Sequence, residues 1–140
     1  MTKPEKIYVF GYGTLRSDVP SSSVPGFLKS IGKGTIPAEL WKISNIYNYR
    51  FCPFWAGVTP NVKKKTKGEI YEITNGLKGL KSLDNRECIN QDMYYREVLK
   101  ATLKNKKEVE VYVYCTGVQS TKLELIESGD WKEIDLNINY

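Results

Sequence analysis

Val109, Val111 and Val113 alternate with Glu110, Tyr112 and Tyr114, and this period of two dictates an extended strand. Tyr94 to Leu103 reads as another long strand, with Leu99, Ala101 and Leu103 on one face. A chain carrying these segments must build a sheet and cover it. Ile7 to Phe10 is β-branched and aromatic and reads as a buried first strand ending at Gly11. Ile36 to Ile43 and Gly68 to Ile73 read as further strands, and Tyr47 to Pro60 as loop with one short strand, broken by Pro53 and Pro60.

Helical signals are fewer. Leu77, Leu80 and Leu83 recur every third residue behind a candidate N-cap, Asn75, which predicts a helix ending near Arg86 or Glu87. Phe27 to Ile31 reads as a short helix closed by Gly32 and Gly34, while Ser17 to Pro25 reads as loop and Thr121 to Tyr140 has no clear pattern. Strands outnumber helices and few long crossovers are available. The expectation is an α+β fold: a mixed, mostly antiparallel sheet closed into a small β-barrel, with one or two flanking helices. At 140 residues, positions 1–140 are expected to form a single domain.

The chain has no histidine. Ser-His-Asp and Cys-His nucleophile pairs are therefore excluded within one chain, as are His-ligated zinc sites. Acid–base chemistry near neutral pH falls to a carboxylate, Lys, Tyr or Cys. The three cysteines, Cys52, Cys88 and Cys115, are odd in number and widely spaced, so buried free thiols are expected rather than disulfides or a metal site. The net charge of +5 comes largely from Lys63, Lys64, Lys65 and Lys67 and from Lys104, Lys106 and Lys107, read as solvated loops between strands. No aromatic residue interleaves either run, so no nucleic-acid partner is expected. Ile7 to Phe10 is too short for a signal peptide or a span, so a cytoplasmic protein without membrane association is expected.

Two nucleotide motifs fail. Gly11-Tyr12-Gly13 follows a strand, but Arg16 stands where a dinucleotide fingerprint needs glycine, and Pro20 interrupts any following helix. Gly26 to Gly34 misses the phosphate loop in spacing, and Gly34 stands where that motif needs Ser or Thr.

Two features survive. The bend Gly11-Tyr12-Gly13-Thr14-Leu15 is either a plain sharp turn or a nest of unpaired N–H groups for an anion. Asp84 and Glu87 share a face of the predicted helix, where they either sit in solvent or one is drawn inward and becomes a better base.

Four segments in order resemble the γ-glutamylcyclotransferase-like family of small enzymes: Val9-Phe10-Gly11-Tyr12-Gly13-Thr14-Leu15, Gly68-Glu69-Ile70-Tyr71-Glu72-Ile73, Leu83-Asp84-x-x-Glu87 with Tyr94-x-Arg96, and Ser128-Gly129-Asp130-Trp131. The resemblance runs from about Ile7 to Trp131. It implies an enzyme that cyclises the γ-glutamyl group of a small amine or peptide to 5-oxoproline, releasing the amine, with no cofactor and no metal. It also implies a cavity between the Tyr12–Leu15 bend and Glu87. Glu87 would be the general base. Gly13, Thr14 and Leu15 would hold the substrate through their N–H groups, and Tyr12 and Tyr94 would line its cavity. Asp84 and Trp131 are expected to be structural, and Arg96 to pair with a carboxylate. Cys88 follows the base where the family usually has glycine. The alternative is a non-catalytic small-molecule-binding module on the same fold.

Overall fold

The computed structural model describes residues 6–13, 15–19, 24–44, 54–86, 94–116 and 122–132. Its elements are β1 (Tyr8–Gly11), β2 (Leu28–Ile36), β3 (Ala38–Ser44), β4 (Phe54–Pro60), β5 (Thr66–Ile73), α1 (Leu77–Arg86), β6 (Tyr94–Leu103), β7 (Glu108–Thr116) and β8 (Lys122–Leu125). Five strands close a barrel in the order β1-β5-β2-β6-β7, and β4, β3 and β8 form a second sheet. All barrel pairings are antiparallel except β1 with β7, where Val9 faces Tyr112 in parallel. The expected mixed small barrel is therefore what forms.

Alternation along the strands builds two cores. Phe10, Ile70, Ala101, Val111 and Val113 pack in one cluster, with Trp131 against them. Their neighbours Val9, Tyr71, Ile73 and Tyr114 point the other way and pack with Leu80 and Leu83 of α1. The helix thus lies on one flank of the barrel. Trp131 is 3% exposed and serves packing, as expected.

Three local expectations are corrected. Phe27 to Ile31 is not helical: β2 begins at Leu28 and pairs with β5 from Leu28↔Ile73 to Ile36↔Thr66. A five-residue helix cannot repay its nucleation, whereas this segment gains a full ladder. Gly32, with φ of 140°, sits at the β2 irregularity that follows Ser30. Second, Leu77 is 74% exposed, so the buried stripe of α1 is Leu80 and Leu83 alone. Gly76, with φ of 63°, precedes the first helical residue and its carbonyl accepts from Leu80, so the cap falls one residue after Asn75. Third, Ile36 to Ile43 is not one strand: Ile36 ends β2 and β3 starts after Pro37, pairing with the one strand of the Tyr47–Pro60 segment, β4, from Ala38↔Pro60 to Ser44↔Phe54.

Lys63, Lys64, Lys65, Lys104, Lys106 and Lys107 are exposed between strands. Among the described residues, no helix is long and apolar enough to cross a membrane.

Candidate functional site

The bend after β1 is held from several sides. The Arg16 N–H donates to the Gly13 carbonyl at 2.9 Å, closing a turn. Among the described residues, the N–H groups of Gly13 and Leu15 have no main-chain partner, the condition an anion nest requires. Both residues are buried. A Cβ on Gly13 would lie 3.1 Å from the Ala56 Cβ, so glycine allows the bend to approach β4.

Behind the bend stands Glu69 of β5, 5% exposed, whose Oε1 accepts from the Ser17 N–H at 3.0 Å and the Ser17 hydroxyl at 2.7 Å. Burial opposes its ionisation, but the polar surroundings supplied by Ser30, Ser17 and Tyr71 outweigh burial and hold its carboxyl below the usual glutamate range. The Tyr71 hydroxyl donates to the Leu15 carbonyl at 2.5 Å. Arg16, also 5% exposed, forks onto Asp18 through Nε and Nη2, each at 2.8 Å, and reaches Asp130 through Nη1 at 2.6 Å. This pairing ties the bend to the Ser128–Trp131 segment. Sequence reasoning assigns Glu69 and Arg16 no role. Glu69 had one legible signal: it shares a strand face with the apolar Tyr71 and Ile73, an unusual place for a carboxylate.

The second part of the site is the end of α1. Asp84 Oδ1 accepts the Tyr114 hydroxyl at 2.7 Å, and Asp84 pairs with Arg96 Nη1 at 2.6 Å. Arg96 also lies over the Tyr112 ring, 4.9 Å from its centre. Asp84 thus fastens the last turn of α1 to β6 and β7, and it is the carboxylate Arg96 pairs with.

The tyrosines anticipated as cavity walls are anchored by their own hydroxyls. Tyr12, 7% exposed, donates to the Tyr114 carbonyl at 2.5 Å, and Tyr94 donates to the Ala56 carbonyl at 2.6 Å. Tyr12, Gly13 and Tyr94 therefore converge on β4 and the end of β7, while Leu15 turns away into the cluster beside α1. Thr14, Glu87 and Cys88 lie outside the described residues, so the expected base and the cavity reaching it do too. Cys115 is buried and free; burial, then the nearby Glu97, pushes its thiol up to about 12. A cleft lined by Ala38, Leu40, Lys64, Leu125 and Gly129 touches none of the expected site residues. Among the described residues, no group of acidic or cysteine side chains could hold a metal.

Solved structures share this architecture. A γ-glutamyl cyclotransferase is 16% identical over 85% of this chain and 70% of its own, with a TM-score of 0.67. An AIG2-like protein from Mus musculus is 22% identical over 83% and 80%, with a TM-score of 0.60. A glutathione-specific γ-glutamyl cyclotransferase from yeast is 17% identical over 84% and 71%, at 0.58. Such identities establish the fold alone. No individually curated protein matches the sequence. The family model "Gamma-glutamyl cyclotransferase, AIG2-like" matches residues 9–133. That span takes in the bend, α1, both long strands and Trp131. The chain belongs to the γ-glutamyl cyclotransferase, AIG2-like family.

Proposed function

We propose that the protein cyclises a γ-glutamyl group, carried on a small amine or peptide, to 5-oxoproline and releases the free amine. The observation that carries this reading is a convergence on one residue. Tyr114 receives the bend through its carbonyl and the end of α1 through its hydroxyl. Glu87 follows α1 directly in sequence. A bend whose Gly13 and Leu15 N–H groups have no main-chain partner among the described residues, and a helix end followed in sequence by a carboxylate, suit the two parts an intramolecular acyl transfer needs.

In the proposed reaction Glu87 takes a proton from the substrate α-ammonium. The freed amine attacks its own γ-carbonyl, and the γ-amide bond breaks as the lactam forms. Glu87 then returns that proton to the departing nitrogen, and the second proton, shed by the attacking nitrogen as the lactam forms, also passes to the amine, which leaves as ammonium, so the step balances with no added reagent. N–H groups of Gly13, Thr14 and Leu15 hold the glutamyl carboxylate or the developing oxyanion. Tyr12 and Tyr94, whose hydroxyl protons are committed to main-chain carbonyls, serve as walls that keep the chain curled. Nucleophile and electrophile share one molecule, so holding that curl supplies much of the rate.

The experiment is 5-oxoproline release by mass spectrometry from γ-glutamyl amines and γ-glutamyl dipeptides. Glu87→Gln is expected to lower release about 10³-fold while the melting temperature holds. Full activity in that variant excludes Glu87 as the base. Tight binding of the same compounds to wild type with no turnover favours the non-catalytic module.

A further inference from the structure

Thr116 ends β7 and is 8% exposed. Among the described residues, its Oγ1 is buried with no hydrogen-bond partner. A desolvated hydroxyl left unpaired lowers stability, and valine, of nearly the same shape, would avoid the loss.

Its surroundings supply a reason for keeping it. Thr116 faces Tyr94 directly across the β6–β7 pair, so the two side chains share a face. Tyr94 is bonded to the carbonyl of Ala56, and Ala56 packs against Gly13. The next residue on β4 is Gly57, where an added Cβ would lie 3.0 Å from the Thr116 Cβ. Two residues back along β7, Tyr114 holds Tyr12. Thr116 therefore lies beside Tyr94 and Gly57, one residue along β4 from the Ala56 that Gly13 approaches and two along β7 from the Tyr114 carbonyl that Tyr12 holds.

We infer that Thr116 is a substrate-binding residue whose hydroxyl hydrogen-bonds the neutral γ-amide of the γ-glutamyl group. The inference rests on the cyclotransferase reading above. A hydroxyl both donates and accepts, which matches an amide. Among the described residues, Tyr94 and Gly57 face Thr116 and carry no formal charge, so neither favours an ionic group, and the substrate carboxylate is better matched to the N–H groups of the bend. Thr116 orients the scissile bond and exchanges no proton in the reaction.

The test compares wild type, Thr116→Val and Thr116→Ser as full-length proteins. Each is melted, assayed for 5-oxoproline release from γ-glutamyl-alanine, and titrated calorimetrically with γ-glutamyl-alanine in a Glu87→Gln background. Thr116→Val is expected to raise KM about tenfold, with a smaller change in kcat. It should melt at or above wild type, by up to roughly 3 °C. Thr116→Ser should restore KM. An unchanged KM in Thr116→Val overturns the inference, and so does a lower melting temperature, which would reveal an internal partner. If wild type binds γ-glutamyl-alanine without turnover and Thr116→Val weakens that binding tenfold, the catalytic reading fails and the role of Thr116 stands. If wild type neither binds nor turns over the dipeptide, both fall.

Discussion

The Tyr12 hydroxyl donates to the Tyr114 carbonyl at 2.5 Å, across 102 positions of sequence. Tyr114 then donates its own hydroxyl to Asp84 at 2.7 Å. One strand residue thereby joins the bend, inside the barrel cluster, to the helix on the barrel's flank. Burial, then its hydrogen bond to Asp84, raises the Tyr114 phenol well above the ordinary tyrosine range, so Tyr114 stays a donor at every physiological pH.

Asp84→Ala is expected to lower stability by about 2 kcal/mol in urea denaturation, mostly by leaving the buried Tyr114 hydroxyl only the distant Leu80 carbonyl, at 3.5 Å, as acceptor. The lost Arg96 pair contributes less than about 1 kcal/mol, because its side chains are 31% and 27% exposed. Tyr114→Phe keeps that pair and should cost about 1 kcal/mol. A negligible loss in Tyr114→Phe beside an undiminished loss in Asp84→Ala would show that the ion pair dominates instead.

Gly68→Ala should be among the most damaging single-methyl changes. The added Cβ would lie 2.3 Å from the Gly11 carbonyl oxygen and 2.6 Å from two Phe10 ring carbons, so main chain and a core ring must both move. A loss of roughly 3 kcal/mol is expected. Gly76→Ala, with open space but φ of 63°, should cost only about 1 kcal/mol of left-handed strain. Thermal melts of the two variants give the comparison.

Acid should weaken the fold through Asp18 and Glu69. The Arg16 guanidinium, chiefly by hydrogen bonding, holds the Asp18 carboxyl far below its ordinary value against the opposing effect of burial. Folded-state pKa values lie below unfolded ones for both groups, so the unfolded chain takes up protons first. Their stabilisation is complete above the unfolded values, about 4, and is lost as pH falls below them through the folded values. The wild-type melting temperature should fall steeply between about pH 4 and pH 2. Asp18→Asn should melt lower than wild type at pH 6 and show a shallower acid slope; parallel slopes would remove Asp18 from this account.

Much of the scaffold was legible because alternation is a local property. Val111, Val113, Leu99 and Ala101 announce one face of β6 and β7, and both strands form where the pattern lies. Phe27 to Ile31 misled because a short apolar run has no period of its own, and the ladder with β5 decided it. Leu77 misled because spacing describes a helix and not where its neighbours end. At the site, Tyr12 and Gly13 stand out as a glycine-flanked bend after a strand, and Asp84 as an acid closing a helix. Thr116 and Tyr114 carry no such mark, since their importance lies in what faces them.

By itself the sequence determined the barrel class, the order of the motifs, and the absence of histidine chemistry, because residue type and period act within a few positions. Tertiary structure alone decided that Glu69 stands behind Ser17, that Arg16 reaches Asp130, and that Tyr12 and Asp84 meet at Tyr114. These contacts span dozens of residues, and no local pattern encodes them. They exist because closing five strands into a ring brings distant side chains within hydrogen-bonding reach, where burial makes pairing obligatory.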